Sequence, residues 1–71
     1  MALFQKTLVR ASEKRSYHIE QSDTAGWRTI ATANDRVAHE RQRTEWHRVE
    51  RDIERFAREI EELRQQGWRD A

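Results

Sequence analysis

The clearest pattern of apolar and polar residues occupies the C-terminal third of the chain, in EWHRVERDIERFAREIEELRQQGW, residues 45–68. Its large apolar residues recur at intervals of three and four, the spacing that places side chains on one face of an α-helix. The pattern therefore predicts one long helix over about residues 45–66. Its apolar face consists of Trp46, Val49, Ile53, Phe56, Ile60 and Leu63.

Residue types at both ends of this segment indicate where the helix begins and ends. Thr44 is a suitable N-cap, because its hydroxyl can accept a hydrogen bond from a free backbone N–H, and Glu45 places a negative charge in the first turn. Gly67 suits the left-handed position just beyond the helix. Trp68 would then contact Leu63, so QQGW predicts a helix stop closed by an apolar contact.

Before this helix the apolar period shortens to two, which is typical of strands. SYHIEQ (16–21) alternates between apolar and polar residues, and WRTIATA (27–33) is rich in aromatic and β-branched residues. SDTAG (22–26) between them consists largely of turn residues. The polar pair at 34–35 predicts a tight turn, and RVAHERQR (36–43) then predicts a polar edge strand protected by its charges.

Two parts of the pattern leave alternatives open. Residues 3–11 (LFQKTLVRA) fit either period, although TLV followed by SEKR favours a strand and hairpin over a helix. Trp27 and Ile30 are three residues apart, so in a regular strand their side chains would point to opposite faces of the sheet. Both can reach the core only if the strand has a bulge or begins after Trp27.

Together these elements predict an α+β fold in a single small domain over residues 1–71. A three- or four-stranded antiparallel β-meander within residues 3–43 precedes one long C-terminal helix, which packs on one face of the sheet. We expect the helix to cover the apolar residues of the strands. Those residues are Tyr17, Ile19, Ile30 and Val37.

A coiled coil is the alternative partner for the helix face, since the apolar spacing also fits a heptad repeat. The flanking charges argue against it, because Glu45 would face Glu50 in a parallel pair, and three heptads are few for a coiled coil. The sheet also needs a cover. Packing on the chain's own sheet is therefore the favoured interpretation, and it leaves a dimer through another surface open.

Composition narrows the classes of function. The chain has fourteen basic and thirteen acidic residues, a net charge of +1, and no cysteine. Disulfides and zinc–thiolate sites are thereby excluded, and the balanced charge disfavours a strong binder of nucleic acid or membranes. We find no signal-peptide pattern and no apolar stretch of membrane-spanning length, so the expected location is the cytoplasm.

Arginines form a stripe on the polar side of the predicted helix. Their spacing suits contacts with successive phosphates, and the strand before the helix adds two more. The alternative is a solvated face with internal ion pairs of Glu54 with Arg58, Arg55 with Glu59, and Arg58 with Glu62, and the interleaved acids favour it. The stripe comprises Arg48, Arg51, Arg55 and Arg58, with Arg41 and Arg43 preceding it.

The sequence gives little support for a metal site, a catalytic site or a cofactor site. The histidines at 18, 39 and 47 do not have the spacing of a known metal motif, and ordinary surface histidines are the better interpretation. There is no glycine-rich phosphate loop and no nucleophile motif, so we predict no enzyme, no cofactor, no metal and no small-molecule ligand. Trp27 follows a turn glycine and is the tryptophan most suited to an exposed contact, although a core role fits equally well.

The sequence thus predicts a small non-enzymatic interaction module. It would associate with itself as a homodimer or bind another protein as an accessory subunit, through the sheet edge or Trp27. The alternative is a nucleic-acid-binding protein that uses Trp27 together with the six arginines of the stripe and the preceding strand.

Overall fold

The computed structural model describes residues 2–71 and contains one antiparallel sheet with a single long helix. The first four strands form a meander in the spatial order β4-β3-β2-β1, and a short fifth strand pairs with the outer edge of β1. The predicted α+β fold is confirmed, and residues 3–10 lie in a strand, with Ala11 in the turn that follows it. The elements are β1 Ala2–Arg10, β2 Glu13–Gln21, β3 Trp27–Ala33, β4 Arg36–Arg43, α1 Trp46–Gln65 and β5 Arg69–Asp70.

Local turn chemistry accounts for the bounds of the strands. Asn34 and Asp35 both have positive φ, 52° and 67°, as the two central residues of a type I′ hairpin turn require. The Asn34 side chain accepts a hydrogen bond of 2.8 Å from the backbone N–H of Lys14, which ties this turn to β2. The predicted turn at 22–26 also forms, closed by a 2.9 Å bond from Ser22 N to Gly26 O.

The core lies between α1 and one face of the sheet. Leu8, Tyr17 and Ile19 are buried on the sheet side, and the helix contributes its apolar face. Tyr17 packs on Phe56 with ring centroids 5.0 Å apart, so an aromatic contact joins β2 to the helix. The prediction that the helix packs on the chain's own sheet is confirmed. The buried helix residues are Val49, Asp52, Phe56, Ile60 and Leu63.

Two predicted core residues lie on the opposite face of the sheet. Thr29 pairs with the buried Ile19 and is itself buried, so strand alternation turns Ile30 away from the helix. Val37 pairs with Thr32 on that same outer face and is 60% exposed. The prediction that the helix covers Ile30 and Val37 is therefore wrong, because the register places Thr29 and Ala31 on the inner face of β3 instead of Ile30.

Trp27 takes the core role that the sequence left open, whereas Trp46 departs from its predicted place. Trp27 lies within β3, is partly buried and packs against the core, so β3 needs no bulge to accommodate it. Trp46, predicted to begin the buried helix face, is 44% exposed. It covers Trp27 instead, with ring centroids 5.2 Å apart. Trp46 is thus the more exposed member of the pair, because it precedes the first full helical turn over the sheet.

The predicted N-cap is also wrong. Glu45 occupies the cap position in an extended conformation, and its side chain makes no capping hydrogen bond. Its carboxylate instead lies 3.3 Å from Arg48 Nε, while its carbonyl accepts a 3.1 Å bond from Arg48 N. Thr44 therefore lies outside the helix, one residue before the cap position.

The predicted C-terminal stop is confirmed in detail. Gly67 has φ +95°, and its N–H donates to Arg64 O at 3.1 Å. Trp68 N donates to Leu63 O at 3.0 Å, which completes a Schellman motif. Trp68 and Leu63 are both buried in the core. This stop turns the chain back to the sheet, where β5 pairs with β1.

Candidate functional site

Five of the six arginines predicted as a contact surface line a single cleft beside α1. The 3, 4, 3 spacing on the helix aligns four of them, and Arg43 reaches the same place from the end of β4. The cleft has a volume of about 420 Å³. We call it the arginine cleft, and its lining residues are Arg43, Arg48, Arg51, Asp52, Glu54, Arg55 and Arg58.

The other two predicted contact residues lie outside this cleft. Arg41 extends from the exposed edge strand β4, and its Nη1 donates to Glu40 O at 2.8 Å. Trp27 packs beneath Trp46. Trp27 is nevertheless paired directly with Arg43 across β3 and β4, so it borders the cleft although it does not line it.

Asp52 holds two of the cleft arginines in place through hydrogen bonds. Only 3% of Asp52 is exposed, and its carboxylate accepts two bonds from Arg43, Nε to Oδ2 at 2.8 Å and Nη2 to Oδ1 at 3.1 Å. Arg55 Nη2 donates to the same Oδ1 at 3.2 Å. A buried carboxylate thus joins the last residue of β4 to the helix and holds two guanidinium groups side by side.

The ionic state of Asp52 follows from these contacts. Burial of the carboxyl favours its neutral form and would raise its pKa, but hydrogen bonds and charge from Arg43, with the further charge of Arg55, outweigh burial. The pKa of Asp52 is therefore lowered from its ordinary value of 3.8. The carboxylate is ionised at neutral pH and balances part of the positive charge of the cleft.

His39 is coupled to this cluster from β4. Its Nε2 lies 3.0 Å from Arg55 Nη2, and since a guanidinium can only donate, Nε2 is the acceptor and the ring is neutral. The ring also packs edge-on against Phe56. Burial, followed by the charges of Arg55 and Arg41, lowers the pKa of His39 from its ordinary 6.5.

This environment predicts a pH-dependent stability. Unfolded His39 takes up a proton near pH 6.5, whereas folded His39 does so only at lower pH, so the free energy of unfolding should fall as the pH decreases below about 6.5. Midpoints of urea unfolding, measured at pH values above and below about 6.5, test this prediction. The substitution His39→Gln should abolish the decrease, whereas His47→Gln on the exposed first turn should retain it. Equal behaviour of the two variants would contradict the assignment.

The internal ion pairs expected along the helix do not form. None of the pairs of Glu54 with Arg58, Arg55 with Glu59, or Arg58 with Glu62 is within 4.0 Å. Arg55 turns back to Asp52 instead, because the buried carboxylate is the stronger acceptor. Within residues 2–71, Arg51 and Arg58 make no ion pair, and both line the cleft.

The second surface is the side of the sheet that the helix leaves uncovered. Cross-strand pairing aligns its side chains in rows, because residues directly opposite each other share a face. One row is uncharged and crosses β1, β2, β3 and β4 as Thr7, Ser16, Thr32 and Val37. The next row is Gln5, His18, Ile30 and Glu40. We call these two rows, together with Glu20 and Arg28, the open face.

Charges at one end of the open face are paired with each other. Arg28 Nη2 lies 2.5 Å from Glu20 and its Nη1 lies 3.5 Å from Glu40. His18 Nε2 lies 3.2 Å from Glu20. Hydrogen bonds from His18 and Arg28 lower the pKa of Glu20, with the His18 bond as the larger cause. The uncharged row therefore lies on the same face as a cluster in which Arg28 is paired with both carboxylates.

Comparison of the chain with protein-family models, curated proteins and solved structures gave no match. Among residues 2–71, no helix is long and apolar enough to cross a membrane. No group of three or more potential metal ligands occurs in that same range. Any functional assignment therefore depends on the geometry of the two surfaces.

The sequence interpretation missed the role of Asp52 and the whole of the open face. A signal for Asp52 was present, since it lies three residues after Val49 and four before Phe56, at the border of the apolar stripe. Acids at such borders usually extend into solvent. The open face had no comparable signal, because its composition depends on which parity of each strand faces the helix.

Proposed function

We propose that this protein is a small non-enzymatic interaction module that associates with a second copy of itself through the open face. The observation that carries the proposal is the uncharged row of Thr7, Ser16, Thr32 and Val37 on a sheet face that nothing in the described part of the chain covers. β-branched and small side chains in this arrangement form a flat surface suited to packing against another sheet.

The size of the surface fits a weak dimer. Four strands about 4.8 Å apart, each with a span of about 25 Å, present about 500 Å² per protomer. The total of about 1,000 Å² is near the lower limit of specific interfaces, which corresponds to a reversible association. A domain of 71 residues also has little stability in reserve, so shared burial would favour the folded state.

The charges on the open face favour a two-fold arrangement. A two-fold axis parallel to the strands, between β2 and β3, would place Ser16 over Thr32 of the second copy. The same axis would place Glu20 over Arg28 of the second copy, so that opposite charges meet twice. The face is thus complementary to itself in one specific orientation.

The other two routes predicted for protein binding have weaker support. The exposed edge of β4 carries Arg36, Arg41 and Arg43, so edge-to-edge pairing of two copies would bring like charges together. Trp27 is covered by Trp46 and packs against the core. The open face is therefore the surface that best fits a second copy.

Sedimentation equilibrium over a wide range of protein concentration tests the proposal. We expect the apparent mass to rise from that of the 8.6 kDa chain towards twice that value, with a Kd on the order of micromolar to hundreds of micromolar. High salt should leave most of the association intact, because the central row is uncharged. A monomer at every concentration would contradict the proposal.

The substitution Thr32→Lys should weaken the dimer by at least about tenfold, since it buries two uncompensated charges near the axis. Thr24→Lys is the matched control, because Thr24 is exposed in the turn before β3 and is not part of the uncharged row. Circular dichroism would verify that both variants fold. Equal self-association of the two variants would show that the copies meet elsewhere.

A further inference from the structure

We propose that the arginine cleft binds the phosphodiester backbone of nucleic acid. This second site lies beside α1, whereas the open face is on the opposite side of the sheet, so the two sites can act independently. The evidence lies in the charge of the cleft, the free donors of its arginines and their spacing along the helix.

The cleft has an excess of positive charge. Five arginines line it against two carboxylates, Asp52 and Glu54. The carboxylate of Asp52 is buried beneath Arg43 and Arg55, so it anchors these side chains without presenting its own charge at the mouth of the cleft. A phosphate that approaches from solvent therefore meets mainly guanidinium groups.

The anchored arginines keep donors for a ligand. Arg43 uses Nε and Nη2 for Asp52, which leaves its Nη1 without a hydrogen-bond partner in the described part of the chain. Arg55 uses Nη2 for Asp52 and His39, and its Nε and Nη1 are similarly free. Side chains fixed by a buried carboxylate lose less conformational entropy when they bind an anion.

The spacing of the helix arginines suits a repeating anion. Arg48 and Arg58 are ten residues apart, which corresponds to about 15 Å along the helix axis. A nucleic-acid strand in B-form geometry carries about four or five phosphates over that length. Arg51 and Arg58, which make no ion pair within residues 2–71, are the side chains most available to contact them.

Fluorescence anisotropy with labelled probes of single-stranded DNA, single-stranded RNA and duplex DNA, each about 20 nucleotides long, tests the proposal. We expect a Kd on the order of 10 μM at about 50 mM salt for at least one probe, within the range of non-specific nucleic-acid binding. For about three phosphate contacts, the affinity should fall on the order of 20- to 40-fold at about 200 mM salt. The probe bound most tightly identifies the form of nucleic acid, and no binding of any probe at low salt would overturn the proposal.

A matched pair of variants locates the site. Arg51→Gln with Arg58→Gln should weaken binding by about tenfold or more, because each lost phosphate contact costs a charge-assisted bond. Arg36→Gln with Arg69→Gln changes the net charge equally at exposed positions outside the cleft and should cost less than about twofold. Equal losses would show that only overall charge matters and would overturn the proposal.

Two further measurements test the preference of the cleft for phosphates and its independence from the open face. Polyglutamate at equal charge concentration should displace the probe poorly, and equal displacement would assign the cleft to acidic polypeptides instead. The Thr32→Lys variant should retain binding to the probe, since the cleft residues lie on one protomer. The nucleic-acid site and the proposed self-association can therefore fail separately.

Discussion

Replacement of Asp52 by Asn should lower the free energy of unfolding by about 2–4 kcal/mol, because it leaves two guanidinium groups without their buried counter-charge. The side chains of Arg43 and Arg55 are 20% and 39% exposed, so solvent reduces the cost below the upper end for a fully buried pair. For a domain with about 3–5 kcal/mol in reserve, such a loss would unfold an appreciable fraction at room temperature. Urea denaturation followed by tryptophan fluorescence measures the change.

Glu54→Gln is the control for this variant. Glu54 lines the same cleft but is exposed and makes no ion pair within the described residues, so its loss should cost less than about 0.5 kcal/mol. The pH dependence has a definite sign, because the pKa of Asp52 is lowered in the fold. Its stabilisation is present above about pH 3.8 and disappears as the pH falls further, so Asp52→Asn should be less sensitive to acid. Equal stability of both variants would contradict the role assigned to Asp52.

Replacement of Gly26 by Ala should destabilise the protein by about 2–4 kcal/mol, since it combines left-handed strain with a steric overlap. Gly26 has φ +91°, and a Cβ atom there would lie 2.0 Å from the carbonyl oxygen of Arg43. The backbone around Arg43 leads from β4 into the helix. Relief of the overlap would therefore displace the connection that carries the Arg43–Asp52 ion pair.

Gly67→Ala separates the two contributions to this effect. Gly67 has a similar φ of +95°, but no atom lies within 4 Å of a Cβ added there. Its replacement should cost only the left-handed conformation, about 1 kcal/mol. Thermal or urea unfolding of both variants measures the difference. A Gly26→Ala variant no less stable than Gly67→Ala would show that the turn moves away from β4 without cost.

Local chemistry explains why much of the fold was predictable. The bounds of β4 and the end of β3 were predicted to the residue, because the turn at 22–26 and the Asn34–Asp35 pair have strong local preferences, whereas the start of β3 at or after Trp27 was left open. The Schellman motif at Gly67 follows from residues adjacent in the chain. The helix N-cap was less predictable, because the residue at the cap position, Glu45, makes no side-chain capping bond that its residue type would have indicated.

The candidate site could be predicted only in part, because its geometry depends on contacts between distant residues. Helical periodicity aligned four arginines, but the burial of Asp52 depends on Arg43 reaching it from a strand nine residues earlier. Which face of β3 is buried was equally hard to predict from the residues of the strand itself. Ile30 is the more apolar residue, yet Thr29 occupies the buried position, since pairing with Ile19 sets the face.

The two proposed surfaces lie on opposite sides of the molecule, one beside the helix and the other on the sheet. The helix covers one side of the sheet and presents arginines to solvent, while the opposite side of the sheet stays open for a second copy. A dimer through the open face would therefore place two arginine clefts on its outer surfaces.

Crosslinking between copies tests the central claim, self-association through the open face, most directly. The chain has no cysteine, so single-cysteine variants Ser16→Cys and Thr32→Cys can be mixed and treated with a bismaleimide that spans about 10 Å, the spacing of packed sheets. We predict that the mixed dimer of these two variants forms much faster than that of Ser16→Cys with Thr24→Cys. Equal yields for both mixtures, or no crosslinked dimer at all, would contradict the proposed interface.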